Sequence, residues 1–180
     1  MNLTDCILSR LDPSNNLTNF SCGDSDLEDF LQNDAINYQN ELLAVTYLFL
    51  NNNDRSEIVA FFSVTNDKLI DDGTITIWNR LSRRIPNYKR RKQYPSVLLA
   101  RLGVDSKYQG FGIGANILQF IKGWFTIKNK TGCRFLVIDA YNKDSVINFY
   151  SKNGFDFLTT HDVNSTTRHM YYDLKRFTPV

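Results

Sequence analysis

The residues best suited to chemistry form a glycine-rich segment that consists of Gln109, Gly110, Phe111, Gly112, Ile113, Gly114 and Ala115. This segment follows a predicted strand that ends at Val104, and it opens a predicted helix that begins near Gly112. The first N–H groups of a helix have no intrahelical partner, and the helix dipole adds positive potential there. The segment therefore predicts a phosphate-binding turn. The alternative is that the glycines only allow the positive φ angles of a tight turn.

Two common phosphate-binding motifs do not fit the surrounding sequence. Gly110, Gly112 and Ala115 match the GxGxxG/A spacing of dinucleotide-binding proteins, but that fold needs further βαβ units and only about forty residues follow Asp139. No Lys-Ser or Lys-Thr pair follows the glycines, as a nucleotide-hydrolysing P-loop requires. The dinucleotide match is therefore weak, and nucleotide hydrolysis is excluded.

The hydrophobic pattern around the segment predicts a single α+β domain over residues 1–180, with a βαβ unit from Val97 to Ala140. A capping box of Ser25 and Glu28 marks the start of the first helix. The predicted strands are Cys6 to Leu11, Leu42 to Leu50, Ile58 to Thr65, Val97 to Val104, Phe135 to Ala140, Phe155 to Leu158 and Met170 to Lys175. The predicted helices are Ser25 to about Asn40, Gly112 to about Lys128, and Lys143 to Ser151.

Composition and charge exclude several classes of protein. The chain has 180 residues and a net charge of +2, but its seven basic residues between Arg80 and Lys92 are accompanied by no acid, which leaves a net charge of −5 on the rest. The three cysteines are widely spaced and form no CxxC pair, so neither a disulfide framework nor a metal site is expected. No stretch approaches the ~20 apolar residues that span a bilayer. We therefore expect a cytoplasmic protein without membrane contact.

Three motifs together resemble the GNAT acetyltransferases. They are Leu102-Gly103-Val104-Asp105, Tyr108-Gln109-Gly110-Phe111-Gly112-Ile113-Gly114 and Asn148-Phe149-Tyr150-Ser151-Lys152-Asn153-Gly154-Phe155. The resemblance implies a mixed, mostly antiparallel central sheet flanked by helices, with a splayed pair of parallel strands. It also implies transfer of an acetyl group from acetyl-CoA, as cosubstrate, to a primary amine by direct attack, with no metal.

The resemblance assigns roles to individual residues. Gln109, Gly112 and Gly114 match the R/Q-x-x-G-x-G/A loop that binds the pyrophosphate of acetyl-CoA, and the main chain of Leu102, Gly103 and Val104 would bind the pantetheine arm. Asn142 would touch that arm or, alternatively, cap the helix that follows it. Tyr150 would protonate the departing thiolate as general acid. The alternative for Tyr150 is packing, although we expect Phe149 to face the core and Tyr150 the cleft.

No general base stands out in the sequence. Glu28, Glu41 and Glu57 are available, but no motif selects among them. An α-amino group has a pKa of ~7.7–8.0 and is partly neutral at cellular pH, whereas a lysine amine at ~10.4 needs a proton acceptor. A site without a base therefore favours α-amines as acceptors. His161 and His169 are expected to have surface or packing roles.

The basic segment between Arg80 and Lys92 should border the acceptor site, and two interpretations remain open. It is either a solvated loop that attracts the 3′-phosphate of CoA or a contact for RNA, with Tyr88 and Tyr94 available for stacking. The substrate-binding candidates are Arg83, Arg84, Arg90 and Arg91.

A second resemblance favours contact with RNA as the role of the basic segment. The stretch from Phe20 to Leu31, the basic segment, and the stretch from Tyr94 to Asp105 resemble the GNAT toxins of bacterial toxin-antitoxin modules. Members of that subgroup acetylate the amino group of aminoacyl-tRNA and are silenced by an antitoxin protein, so tRNA and an antitoxin become expected partners. Acetylation of another primary amine, and a non-catalytic CoA-binding or RNA-binding module, remain alternatives. We expect a monomer or a homodimer.

Overall fold

The structure is a computed structural model that describes residues 3–71, 78, 79, 81, 83, 85, 86, 92–129 and 131–178. Its strands are β1 (Cys6–Arg10), β2 (Val45–Asn51), β3 (Ile58–Ile70), β4 (Gln93–Val104), β5 (Phe135–Tyr141), β6 (Asp156–Phe157) and β7 (Thr167–Asp173). Its longer helices are α1 (Ser25–Asp29), α2 (Ala35–Asn40), α3 (Ile113–Thr126) and α4 (Asp144–Lys152), and a π-helical turn, Phe30–Asp34, joins α1 to α2.

The strands form one sheet in the order β1-β2-β3-β4-β5-β7-β6. Pairing is antiparallel for β1–β2, β2–β3, β5–β7 and β6–β7, and it is parallel for β4–β5 because α3 carries the chain across between them. The parallel pairing extends only from Ser96↔Phe135 to Leu98↔Val137, although both strands continue beyond it. The expected mixed, mostly antiparallel sheet with its βαβ unit and splayed parallel pair is confirmed.

The chain forms two compact units. The first consists of Met1–Thr65 and Leu99–Ile121, and the second of Asn66–Leu98 and Lys122–Val180. Each unit has its own apolar cluster, the first around Phe30, Leu48 and Phe61, and the second around Leu69, Phe135 and Tyr171. The single domain expected from the sequence stays a prediction.

The start of the first helix differs from the predicted capping box. Asp24, not Ser25, is the N-cap, and its carboxylate accepts hydrogen bonds from the backbone N–H groups of Asp26 and Leu27. Glu28 instead accepts from the N–H groups of Cys22 and Gly23, at 2.7 and 2.9 Å. A carboxylate at position 24 competes successfully for the cap, since Asp is at least as good a cap as Ser.

Candidate active site

The glycine-rich segment is held in place by the side chain of Gln109. Its Nε2 donates hydrogen bonds to the carbonyl oxygens of Cys22, at 2.8 Å, and Val104, at 3.0 Å. These two bonds tie the segment to the end of β4 and to the turn before α1. In this structure Gln109 therefore supports the loop from within. Its assignment as a pyrophosphate ligand stays a prediction.

The turn before α1 is bonded to the residues that precede the glycine-rich segment. Ser21 N–H donates to a carboxylate oxygen of Asp105 at 3.2 Å, and both the N–H and the hydroxyl of Ser106 donate to the carbonyl of Ser21, at 2.8 and 3.0 Å. Asp105 is almost fully buried and also accepts from Lys107 N–H. This network fixes the path of the chain from β4 into the segment.

The glycines give the segment the geometry of an anion site. Gly110 and Gly112 have φ angles of +82° and +78°, a region that L side chains rarely adopt. The carbonyl of Gly112 accepts the first helical bond, from Asn116 N–H at 3.0 Å, so Gly112 is the N-cap of α3. It has no side chain that could bond the first N–H groups of the helix, those of Ile113, Gly114 and Ala115. These groups are available to a phosphate.

The end of β4, which precedes this loop, packs tightly on one side. A Cβ added to Gly103 would lie 2.6 Å from Cε1 of Phe61 and 3.3 Å from Cζ of Phe20. Both rings are buried and contact each other edge to face. Leu102 and Val104 are only half-buried. The Val104 carbonyl accepts from Gln109. The main-chain contacts expected between Leu102, Gly103 and Val104 and a pantetheine arm stay a prediction.

Tyr150 lies on α4 in an aromatic environment. Its ring contacts those of Phe149 and Phe155 edge to face, with centroid distances of 5.0 and 5.5 Å. Burial raises the pKa of Tyr150 to about 12. The hydroxyl has no hydrogen-bond partner among the described residues. It therefore keeps its proton at physiological pH and is free to donate it. Phe149 is half-buried like Tyr150. The expected division between a core Phe149 and a cleft Tyr150 stays a prediction.

The end of α4 is fixed by a buried lysine that sequence reasoning missed. Lys122 on α3 is 1% exposed, and its Nζ donates to the carbonyl of Asn153 at 2.7 Å. The ammonium also lies over the ring of Tyr172, 4.3 Å from the centroid. Burial and the charge of Arg176 lower the pKa of Lys122 to about 8. No signal in the sequence separates this lysine from those on solvated helix faces.

Asn142 does not cap α4, since the N-cap position is Lys143, whose side chain makes no capping bond. The Asn142 amide instead donates to the carbonyls of Val163 and Ser165, both at 2.9 Å, and its backbone N–H donates to Thr166. Asn142 thus ties the end of β5 to the turn before β7. Contact with the cofactor arm stays a prediction.

Two of the three glutamates considered as bases are used structurally. Hydrogen bonds from Gly23 and Cys22 lower the pKa of Glu28, and one from Asn51 lowers that of Glu57, which also pairs with Lys107 at 3.4 Å. A carboxylate whose pKa is lowered accepts a proton less readily. Glu28 and Glu57 are therefore poor bases.

The basic segment is described only in part. Arg83 and Lys92 are exposed, while the other expected contacts, Arg84, Arg90 and Arg91, lie outside the described residues, as does Tyr88. Tyr94 is buried and stacks on Trp78 with a centroid distance of 5.5 Å. The prediction that Tyr94 stacks on RNA is therefore wrong, because its ring belongs to the apolar cluster of the second unit.

No group of three or more His, Cys, Asp or Glu side chains in the described part of the chain could hold a metal ion. Within the same residues, no helix has the length and apolar character needed to cross a bilayer.

Comparison with known proteins places this fold and loop in a family. The model of the acetyltransferase (GNAT) domain matches residues 51–156. A tRNA-acetylating toxin of Mycobacterium tuberculosis is 26% identical over 152 residues, which cover 84% of each protein.

Solved structures show the same fold at low identity. The AtaT structure in complex with acetyl-methionyl-tRNAfMet has a TM-score of 0.75 at 20% identity and covers 95% of this chain and 96% of that one. AtaTR bound with AcCoA has a TM-score of 0.74 at 19% identity, with 96% and 95% covered. Because the family model also spans more than half of the sequence, the chain belongs to the GNAT acetyltransferases, enzymes that take their acetyl group from acetyl-CoA.

Proposed function

We propose that this protein is a toxin-type N-acetyltransferase that transfers the acetyl group of acetyl-CoA to the α-amino group of an aminoacyl-tRNA. The observation that carries the acetyl-CoA part is the loop from Gln109 to Ala115, in which a glycine caps a 14-residue helix and leaves its first N–H groups free. Three amide donors and the positive end of the helix suit the two negative charges of a pyrophosphate.

The chemistry proposed for Tyr150 follows from its surroundings. The acceptor nitrogen attacks the acetyl carbon, a C–N bond forms and the C–S bond breaks. The nitrogen loses one proton to solvent, and the sulfur leaves as a thiolate. A thiolate of CoA, with a pKa near the ~8.5 of cysteine, needs a proton or a hydrogen bond as it leaves. Tyr150, with a pKa of about 12, holds its proton at every physiological pH. It is therefore protonated when the sulfur leaves and can donate a hydrogen bond to it, and it does not act as the base.

The choice of acceptor rests on relatives and on charge. A curated relative is a tRNA-acetylating toxin, and one structural neighbour is complexed with acetyl-methionyl-tRNAfMet. This chain places seven basic residues and no acid between Arg80 and Lys92, which supports contact with a phosphate backbone. An α-amine also suits an enzyme in which Glu28 and Glu57 are held in structural bonds.

An antitoxin is the proposed protein partner. One neighbour is an AtaT Tyr-to-Phe mutant toxin bound to the C-terminus of the antitoxin AtaR, with a TM-score of 0.66 at 17% identity. Another is a KacTA-DNA complex, with a TM-score of 0.66 at 19% identity. Both alignments cover at least 94% of each chain, so the likeness extends over the whole domain.

The experiment that tests the function measures thiol release from acetyl-CoA with three classes of acceptor. These are methionyl-tRNA, a lysine-containing peptide with a blocked N-terminus, and small α-amines such as alaninamide. We expect release with methionyl-tRNA to exceed release with either small acceptor. Turnover of the peptide alone would support a general amine acetyltransferase. Tight acetyl-CoA binding without turnover of any acceptor would support a non-catalytic CoA-binding module.

A further inference from the structure

The polar turn before α1 belongs to a stretch that no step of the proposed reaction uses. This stretch, from Phe20 to Leu31, is one of those that resemble the GNAT toxins. Its ends are buried, since Phe20, Phe30 and Leu31 belong to the apolar cluster of the first unit. Between them, residues 21–23 form a turn that contacts the glycine-rich segment and the residues before it. Core packing explains the buried ends but not the polar turn between them.

One carboxylate oxygen, Oε1 of Glu28, holds this turn. It accepts hydrogen bonds from the N–H groups of Cys22 and Gly23, at 2.7 and 2.9 Å, and from the hydroxyl of Ser21 at 3.0 Å. The bonds from Gly23, Cys22 and Ser21 lower the pKa of Glu28, so its side chain is an anion at physiological pH. Hydrogen bonds to an ionised group are stronger than those between neutral groups. All three residues of the turn are therefore held by the same side chain.

The carbonyl groups of the same turn bind the chain that forms the glycine-rich segment. The carbonyl of Cys22 accepts from Nε2 of Gln109 at 2.8 Å, and that of Ser21 accepts from the N–H and the hydroxyl of Ser106, at 2.8 and 3.0 Å. Gln109 is only three residues before Gly112, the N-cap of α3. The turn is therefore hydrogen-bonded to Glu28 on one side and to the approach of the anion site on the other.

Two peptide groups connect Glu28 directly to this approach. The first joins Ser21 to Cys22, and its N–H binds Glu28 while its carbonyl binds Ser106. The next peptide group along the chain also binds Glu28 through its N–H, while its carbonyl, that of Cys22, binds Gln109. A peptide group is planar, so its N–H and its carbonyl cannot move independently. The position of the Glu28 carboxylate therefore sets the positions of the two oxygens that hold Ser106 and Gln109.

We propose that Glu28 is a positioning residue for acetyl-CoA, which acts through the turn before α1 to hold the glycine-rich segment in the shape that binds the pyrophosphate. This inference rests on the proposed binding of acetyl-CoA by that segment. The free N–H groups at the start of α3 bind a phosphate only when the chain before Gly112 leaves their approach open. The toxin-like stretch thereby gains a role in binding the cosubstrate.

Two substitutions separate the hydrogen bonds of Glu28 from its charge. Glu28→Met keeps the length of the side chain but accepts none of the three bonds, whereas Glu28→Gln loses the charge and keeps an Oε1 that can accept all of them. In both variants the N–H of Ser21 still has its partner Asp105, at 3.2 Å, and the buried ends of the stretch are untouched, so both should fold. Glu41→Met makes the same change at an exposed residue at the end of α2 and is the matched control.

The test compares two acetyl donors, acetyl-CoA and S-acetylpantetheine, which lacks the pyrophosphate. Calorimetry gives the affinity for acetyl-CoA, and thiol release with methionyl-tRNA gives kcat and kcat/KM for each donor. We expect Glu28→Met to bind acetyl-CoA ~10–100-fold more weakly, the range for lost hydrogen bonds to a charged group, and to keep its kcat at saturating acetyl-CoA. Its kcat/KM with S-acetylpantetheine should equal that of the wild type. Glu28→Gln and Glu41→Met should bind acetyl-CoA as the wild type does.

A double-mutant cycle tests whether Glu28 acts through the turn. Gln109→Leu removes the donor to the Cys22 carbonyl, on the other side of the turn from Glu28. If both residues hold one segment through one turn, the loss of acetyl-CoA affinity in the double variant should be smaller than the product of the two single losses. Losses that multiply would show that Glu28 and Gln109 act independently.

Three results would overturn the role of Glu28. They are wild-type acetyl-CoA affinity in Glu28→Met, an equal loss of kcat/KM with both donors, and single losses that multiply in the double variant. Should Glu28→Met not fold, Ser21→Ala and Gln109→Leu decide, since each removes one bond of the same connection, and wild-type acetyl-CoA affinity in both contradicts the proposal. If the wild type binds acetyl-CoA but releases no thiol with any acceptor, the proposed transfer fails, and the calorimetric comparison still decides the role of Glu28.

Discussion

Among single residues, the Tyr150 hydroxyl is the group on which the proposed acetyl transfer depends most. We expect Tyr150→Phe to keep its fold and its acetyl-CoA affinity but to lose ~10²–10⁴-fold in kcat, because only the proton donor is removed. Tyr38→Phe is the matched control, since Tyr38 is also an aromatic neighbour of a phenylalanine but is 42% exposed. Rapid-quench measurement of the chemical step checks the result. A wild-type rate for Tyr150→Phe would assign the residue to packing.

The buried Lys122 should make stability rise with pH. Its pKa of about 8 in the folded chain lies below the 10.5 of a free lysine, so between these values the unfolded chain binds more protons and alkaline conditions favour folding. The gain from pH 8 to pH 10 should be about 2 kcal/mol relative to Lys122→Met, which cannot titrate. Urea unfolding of both proteins measures the difference. Parallel pH profiles would show that Lys122 titrates normally.

At the scale of elements, the cap of α3 decides whether acetyl-CoA binds. We expect Gly112→Asp to lower acetyl-CoA affinity by at least ~100-fold, because a carboxylate at the N-cap repels phosphate and occupies the free N–H groups. Gly132→Asp adds the same charge at a similar φ of +69° in open space, before β5, and should bind normally. Isothermal titration of both folded variants tests this. Equal acetyl-CoA affinities of the two variants would show that the loop does not bind the cosubstrate.

Most elements could be predicted from the sequence because their signals are local. The apolar run of β5 and the apolar spacing of α3 each place a strand or helix within two residues of its observed ends. The burial on α3 was less predictable, since Leu118, Lys122 and Phe125 are buried whereas Phe120 and Trp124 are only partly so.

The site was predictable only where it follows a motif. The glycine-rich loop is a contiguous motif, and Tyr150 lies within another. Asp139 and His169, in contrast, come together through a strand register that joins residues 30 apart. Lys122 reaches Asn153 across a similar separation. Sequence spacing carries no sign of such long-range pairs.

At the scale of the whole molecule, charge should separate tRNA from small acceptors. We expect replacement of Arg83, Arg84, Arg90 and Arg91 by Ser to weaken tRNA binding and flatten its salt dependence, by about 0.7 in log–log slope for each lost phosphate contact. Acetylation of alaninamide should stay unchanged. The control replaces four exposed cations elsewhere by Ser, namely Arg55, Lys68, Lys128 and Lys175. Filter binding over a salt series gives the slopes. Equal effects of both variants would show that the basic segment is only a solvated loop.

We expect the acetyl group to end on the α-nitrogen of an aminoacyl-tRNA. The direct measurement is mass spectrometry of the amino acid released from methionyl-tRNA after incubation with isotopically labelled acetyl-CoA. We predict labelled N-acetylmethionine with the wild-type protein and a strongly reduced yield with Tyr150→Phe. Recovery of unmodified methionine, under conditions in which the same protein transfers labelled acetyl groups to a small amine or peptide, would contradict the account.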